Sequence, residues 1–325
     1  MAVLIGLTLV FAFLNGYNDS GSMVATLIST GVISARVALV LAAIGNFIGP
    51  FLFGVAVAVV IGTGIVEPSG ITLASIGAGV AAALSWNAVA SILGIPSSSS
   101  HALVGGLIGG GLIAGGPSAI QVSGLVILGL SLLLAPALGA VVGWLAMRST
   151  LWLSQSATPK INEFFRRSQI VTSMLLALSH GTSDGQKSMG IITLILLRAG
   201  MIRQFAVPNW VVLVSALALS LGVGMGGWRV IRTLGARFYR LRPVHGFVAQ
   251  STATIIVLGA TLLGGPVSLN QIASSALIGA GASERMSKVR WDITGQIVFA
   301  WLITLPSTAL VAIILYPLAR LLIGF

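Results

Sequence analysis

The stretch PSSSSHALVGGLIGGG, from Pro96 to Gly111, sets a proline, four serines and a histidine in front of a glycine-rich apolar run. Its flanks are apolar enough for lipid, yet hydroxyls and a chain reversal fall in the middle. An altered copy, PVSLNQIASSALIGAG, occupies Pro266 to Gly281. Both copies begin with proline, carry histidine or glutamine five residues on, and end among glycines. Working outward from these two stretches, the chain reads as two halves with one such insertion in each.

Of the 325 residues, 56% are hydrophobic and only 7% are charged, and the mean hydropathy is +1.06. A soluble domain carries about 25% charged residues; no water-soluble core could hide this much apolar surface. The class is therefore a polytopic membrane protein. Cysteine is absent, which excludes disulfides, thiolate chemistry and cysteine-ligated zinc. The N-terminus lacks the basic region and cleavage site of a signal peptide, so the first apolar run is expected to remain as a span. A net charge of +11 invites a nucleic-acid partner, but Lys and Arg mostly flank apolar runs, as membrane topology requires, and no nucleic acid is expected. There is no Walker loop, dinucleotide fingerprint, HExxH or nucleophile triad, so neither an enzyme nor an ATP-driven device within the chain is supported.

The apolar segments recur in the same order. Residues 3–27, 36–61, 74–94, 101–115 and about 121–147 fill the first half. Residues 170–197, 208–228, 245–265, an arm ending near Gly281, and about 292–319 fill the second. The offset from Asp19 to Asp184 differs from that between Pro96 and Pro266 by only five residues. The expected fold class is an all-α polytopic membrane protein of two inverted-topology repeats, each with three spans and one re-entrant helical hairpin. Residues 1–147 form the first repeat, with its hairpin near 75–115. Residues 148–168, with Arg148, Lys160, Glu163, Arg166 and Arg167, form a cytoplasmic linker. Residues 169–325 form the second repeat, with its hairpin near 246–281. A second arm of about 15 residues favours re-entry, since a full crossing needs roughly 20.

Basic residues set the orientation. With the N-terminus outside and each hairpin returning to its own side, thirteen Lys and Arg fall inside and three, Arg198, Arg203 and Arg320, fall outside. That bias predicts a multi-pass protein of the plasma (cytoplasmic, inner) membrane with both termini outside. Each half then crosses an odd number of times, which makes the halves inverted. Inverted repeats with broken elements meeting near the midplane are a recurring plan of secondary transporters.

Polar groups that lipid should not tolerate mark the candidate site. Asp19 and Asp184 lie in matching apolar segments, and a carboxylate at that depth is paired, solvated or ion-bound. They read as cation ligands or proton carriers, or as charge compensation for Lys187. Lys187, three residues after Asp184, reads equally as its salt-bridge partner or as an anion contact. Asn15, Asn18, Ser20 and Ser22 surround Asp19 with oxygen donors that suit a hard monovalent cation, sodium among them, and Gly16 and Gly21 are expected to let the helix unwind. Ser179, Thr182, Ser183 and Gln186 are placed likewise around Asp184; His180 is expected to pack or titrate more than to ligate.

The serine cluster has a different chemistry. Ser97, Ser98, Ser99 and Ser100 lie where a reversal exposes the first amides of the next helix, and amides, dipole and hydroxyls together make an oxyanion cradle. The glycines between Gly105 and Gly111 are expected to pack closely. At the second tip Ser268, Asn270 and Gln271 offer polar contacts, Leu269 interrupts them, and Ser274 and Ser275 are expected to face neighbouring helices. Glu284, Arg285 and Arg290 read as an electrostatic latch or as a solvated loop, and Asp292 as a helix-start residue.

These motifs resemble the inorganic phosphate transporter (PiT) family, of the bacterial or archaeal low-affinity phosphate permease type. Its repeated G-A-N-D motif is matched by GYND at Gly16 to Asp19 and GTSD at Gly181 to Asp184, the latter continuing GQKSMG. Its P-V-S-T-T-H motif is matched by PSSSSH at Pro96 to His101 and PVSLNQ at Pro266 to Gln271. VRWDITGQIVFAWLITLPSTAL, Val289 to Leu310, is similar to its last span. The chain departs from the family at Ser22, Ser183 and Leu269-Asn270-Gln271.

The resemblance implies an inverted-repeat symporter that imports phosphate by alternating access, with sodium or protons as coupling ion and no other cofactor. Phosphate would meet Ser97 to Ser100, Ser268 and Asn270. The coupling ion would meet Asn15, Asn18, Asp19, Ser22, Ser183 and Asp184, supported by Gln186, Lys187, His101 and Gln271. Membrane lipid and a second copy of the chain are the remaining expected partners. A phosphate or other oxyanion channel, and a non-transporting phosphate-binding scaffold, stay open as alternatives.

Overall fold

Lipid offers no partner to a backbone amide, so a long apolar chain pairs its peptide groups within helices. The computed structural model describes residues 1–93, 97–226, 231 and 241–323; Pro96 and the loop arginines Arg229, Arg232, Arg237 and Arg240 lie outside them. Its helices are α1 (Ala2–Ser29), α2 (Ala35–Ile48), the short α3 (Ala56–Val59), α4 (Leu73–Leu93), α5 (Ser99–Gly115) and α6 (Val122–Leu153). They continue with α7 (Ile161–Arg198), α8 (Asn209–Met225), α9 (Pro243–Leu262), α10 (Leu269–Glu284) and α11 (Trp291–Ile323). Among the described residues, α1, α4, α6, α9 and α11 are long and apolar enough to cross a membrane, and the bent pair α2–α3 adds a sixth if it is one span. Along α6, Val126, Leu130, Leu133, Leu138 and Val141 are all exposed. Such a row would be an aggregation surface in water and is an ordinary face in lipid. The chain is an all-α polytopic membrane protein.

The second apolar segment, read from sequence as continuous, is broken. α2 ends at Ile48, a tight turn takes Gly49–Phe51, and helix resumes in α3, turned by 73°. Pro50 has no amide to donate and its ring clashes with the preceding turn, which stops α2. The amides freed beyond the break are satisfied from α7: Gln186 Oε1 accepts from Val57 N at 2.8 Å and from Ala58 N at 3.3 Å.

The unwinding expected at Gly16 and Gly21 does not occur; α1 is one helix from Ala2 to Ser29. Gly16 serves a close approach instead, since a Cβ there would lie 2.1 Å from the Leu219 carbonyl oxygen on α8. Small residues let helices approach where no hydrophobic drive exists between them in lipid. The glycine run of α5 works the same way: a Cβ on Gly106 would lie 2.3 Å from the Gly79 oxygen on α4. The polar stretch 148–168 is helical at both ends, leaving 154–160 as the joint between α6 and α7.

The packing partners position the site. α5 lies against α4 and α11, and α10 lies against α9 and α6. α7 is central, against α1, α2, α8 and α9, and it is buried at every residue from Ser179 to Leu196. The starts of α5 and α10 both reach its midpoint.

At the far end of α10, Arg242, Lys288 and His245 (Nε2 at 3.2 Å) gather on the Glu284 carboxylate. The latch read from sequence joins Glu284 with Arg285 and Arg290; the structure gives Glu284 other partners, Arg242 at the cap of α9, His245 on α9 and Lys288 beyond α10. Partial burial pushes the Glu284 carboxyl up, but the Lys288 hydrogen bond and the His245, Arg242 and Lys288 charges outweigh it and hold the group below its ordinary value. A carboxyl depressed on folding adds stability above its unfolded value and loses it as pH falls through the folded one. Acidifying the detergent-solubilised protein below the ordinary carboxylate range is expected to lower its melting temperature. Glu284→Gln should make that part of the profile shallower.

Candidate functional site

Asp19 lies about two-thirds along α1 and Asp184 about two-thirds along α7, and the crossing of these helices brings both to one imidazole. His180, one turn before Asp184, places Nε2 2.6 Å from Asp184 Oδ2 and 3.1 Å from Asp19 Oδ2. Its Nδ1 donates to Asn46 Oδ1 at 2.6 Å. The Asn46 amide is oriented by its own donation to Met23 Sδ at 3.1 Å and to the Ala42 oxygen at 3.2 Å. A neutral imidazole that donates from Nδ1 offers only a lone pair at Nε2, which two ionised carboxylates would repel. The trio therefore needs one shared proton or a cation, and ligand atoms of Asp19, His180 and Asp184 lie within 4.8 Å of one another.

Lys187 joins this acidic trio to the two helix starts. Its ammonium pairs with Asp184 Oδ1 and donates to Ser100 Oγ at 2.5 Å and to the Val267 oxygen at 3.1 Å. Ser100 Oγ also donates to the Val267 oxygen, at 2.8 Å. Asn270 Nδ2 donates to Asp19 Oδ1 at 2.7 Å and to the Ser97 oxygen at 3.1 Å, while its Oδ1 accepts from Ser22 Oγ. Gln271 Nε2 lies 3.3 Å from His101 Nδ1, which also lies 3.1 Å from the Trp301 oxygen. So the two tips touch each other reciprocally beside the Lys187 ammonium: Ser100 meets Val267 as Asn270 meets Ser97, and His101 meets its counterpart Gln271.

Both tips are helix N-termini. Ser98 caps α5, its hydroxyl accepting from His101 N at 3.2 Å, and Ser268 occupies the same position on α10. Each start presents unpaired amides and about half a positive charge. Around them are buried polar atoms without a hydrogen-bond partner among the described residues: the Asn15 amide, Asn18 Oδ1, the Asn87 amide, Ser99 Oγ and Ser183 Oγ. Asn18 Nδ2 donates to the Asn87 backbone carbonyl at 3.0 Å.

The expected residues therefore separate. Asp19, Asp184, Lys187, Ser22, Ser97, Ser100 and Asn270 form one network. Asn15, Asn18, Ser99 and Ser183 border it with spare donors and acceptors. Gln186 is turned away to the α2–α3 break. Asn46, Asn87 and the Val267 carbonyl were not singled out by the sequence, and His180 carries more of the contact than its sequence context implied. The available signal was an amide stranded in an apolar run, as in ALVLAAIGNFI.

A family model described as the phosphate transporter family matches residues 15–312. A Rhizobium meliloti (strain 1021) protein described as a probable low-affinity inorganic phosphate transporter is 41% identical over 315 residues, 96% of this chain and 94% of that one. A Bacillus subtilis (strain 168) protein of the same description is 37% identical over 312 residues, 95% of this chain and 93% of that one. A solved structure described as the sodium-dependent phosphate transporter has a TM-score of 0.88 at 24% identity, covering 99% of this chain and 100% of that chain; at that identity the likeness shows the fold alone.

Removing one partner of a buried ion pair costs about 3–5 kcal/mol, because the other charge is left uncompensated. Lys187→Met is expected to lower the melting temperature, and adding Asp184→Asn to recover part of the loss. Strict additivity of the two single losses in a double-mutant cycle would show that the pair is not coupled.

Proposed function

The chain belongs to the phosphate transporter family, and we propose that it is a symporter that imports inorganic phosphate by alternating access, coupled to sodium or protons. The observation that carries this reading is the junction at Lys187, where an ammonium and two helix starts share one buried cluster with two carboxylates. An oxyanion fits the positive side of that junction and a cation fits the negative side.

On this reading phosphate takes the hydroxyls of Ser97, Ser98, Ser99 and Ser100, the first amides of α5, Ser268 and Asn270, and the Lys187 ammonium. Ser100 and Asn270 now spend their donors on protein oxygens and would exchange them for phosphate oxygens. The coupling ion sits between Asp19 and Asp184, with Asn15, Asn18, Ser22 and Ser183 as oxygen donors. Oxygen-rich sites favour hard cations, which makes sodium the first choice; the proton that would complete the Asp19–His180–Asp184 trio is the second.

Charge explains why the two cargoes travel together. Two carboxylates face one ammonium and two helix ends of about +0.5 each, so the cluster is near neutral before cargo arrives. A phosphate monoanion or dianion overloads it by one or two charges, and desolvating an uncompensated charge is expensive. One or two cations restore the balance and allow the occupied site to close.

The architecture proposed for this cycle is a pair of inverted repeats, with α4–α5 and α9–α10 as re-entrant hairpins. Their packing supports it: α5 leans on α11, the last helix of the second half, and α10 leans on α6, the last helix of the first. Each hairpin is thus seated on the opposite half, so movement of one half against the other moves both tips. The distribution of Lys and Arg supports a plasma-membrane location with both termini outside and residues 148–168 on the cytoplasmic side.

Uptake of labelled phosphate into proteoliposomes tests the coupling roles. Asp19→Asn and Asp184→Asn are each expected to reduce accumulation against a gradient to the level of empty vesicles, with membrane insertion retained. Full accumulation by either variant would remove that residue from the coupling site.

A further inference from the structure

Beyond Asp19 the polar network does not stop. Ser22, Thr26 and Thr30 follow it on one face of α1, at steps of three and four residues. From Asp19 the contacts pass through Asn270 to Ser22. Thr26 Oγ1 accepts from Gln250 Nε2 at 2.9 Å, and Gln250 Oε1 accepts from Thr172 Oγ1 at 2.8 Å. Thr30 Oγ1 donates to the Thr26 oxygen at 2.7 Å and lies 3.2 Å from Gln169 Oε1, and Thr30 is half-buried where α1 ends. Beside Ser22 and Thr26 lies a small cavity of about 20 Å³, bounded also by Gln250 and Ser274 and walled by Ala25, Leu176 and Leu277.

Two polar atoms along this seam are left unsatisfied. The Ser274 hydroxyl is buried, borders the cavity and has no hydrogen-bond partner among the described residues; Gln169 Nε2 is in the same condition further along. A cavity of that size holds one water when polar groups line it. Such groups would otherwise be a plain liability inside an apolar bundle. The seam's polar side chains are hydroxyls and amides, with no ammonium or guanidinium group among those that border the cavity. Hydroxyl and amide oxygens suit a monovalent cation and its water, and the residues bordering the cavity bring no positive charge to favour an anion.

We propose that the seam Ser22–Thr26–Gln250–Ser274–Thr172–Gln169–Thr30 is a cation route, along which the coupling ion leaves Asp19 toward the end of α1 in single file with water. On the proposed orientation this is the cytoplasmic side. The proposal rests on the symport reading of the Asp19–Asp184 cluster.

The chain contains no cysteine, so single thiols can be introduced into the native sequence. Ser274→Cys and Thr26→Cys, on opposite walls of the cavity, are compared in proteoliposomes with Ala83→Cys, which is equally buried but in the apolar core of α4. A small cationic methanethiosulfonate reagent applied on the side where α1 ends is expected to modify Ser274→Cys and Thr26→Cys roughly tenfold or more faster than Ala83→Cys, because only the seam admits water. Modification should stop cation-driven phosphate accumulation while phosphate binding by the modified protein persists. Equal rates at all three positions would overturn the route. Accumulation by the unmodified variants is read separately: if they transport but the seam thiols are no more reactive than Ala83→Cys, the route fails and symport stands. If seam thiols react but no variant or parent chain accumulates phosphate, the seam conducts water and cation and the symport reading fails. If one of the two seam variants does not fold, the other decides the comparison.

Discussion

The pairing of Lys187 with Asp184 in the buried part of α7 is the constraint on which the rest of the site depends. Neither charge could stay at that depth alone; an isolated ion in the interior costs several kcal/mol even after relaxation. Held three residues apart on one helix, they neutralise each other and leave the ammonium with spare donors. Those donors reach Ser100 on the first tip and the Val267 carbonyl on the second. A single side chain thus ties two helix starts to the central helix, and any displacement of either tip must alter the charge balance at Asp184.

Other parts of the fold serve that junction. The α2–α3 break frees amides that Gln186 absorbs from α7, two residues beyond Asp184. α2 also supplies Asn46, whose amide fixes the His180 ring against both carboxylates. Close glycine contacts bring α1 against α8 and α5 against α4, which keeps the polar groups within hydrogen-bond reach of one another in a medium that offers no water to replace them. Chemistry and packing therefore meet at the same few helices.

Much of this was legible in the sequence. The apolar segments, the two carboxylates at matching places, Lys187 and the paired proline-led tips all stand out in a chain that is only 7% charged, because lipid makes every stranded polar group conspicuous. What was not legible is who meets whom. Asp19 and Asn270 are 251 residues apart in sequence, and His180 and Asn46 are 134 apart; no local pattern encodes such pairs. The glycines near Asp19 were read as points of unwinding, whereas Gly16 is used for contact with α8, since glycine permits both and only the neighbour decides. The break at Pro50 was legible as a proline but not as a 73° turn, because its stability depends on Gln186 from the other half.

On the proposed reading, a common neutral cluster for anion and cation would make their affinities interdependent, and by linkage the dependence would be reciprocal. The most direct measurement is equilibrium binding of labelled phosphate to the purified protein across a series of sodium concentrations at fixed pH, repeated across pH without sodium. Joint neutralisation predicts that phosphate binds more tightly as one of these cations rises, and that phosphate tightens binding of that cation by the same factor. Phosphate affinity that is indifferent to both sodium and pH would contradict it.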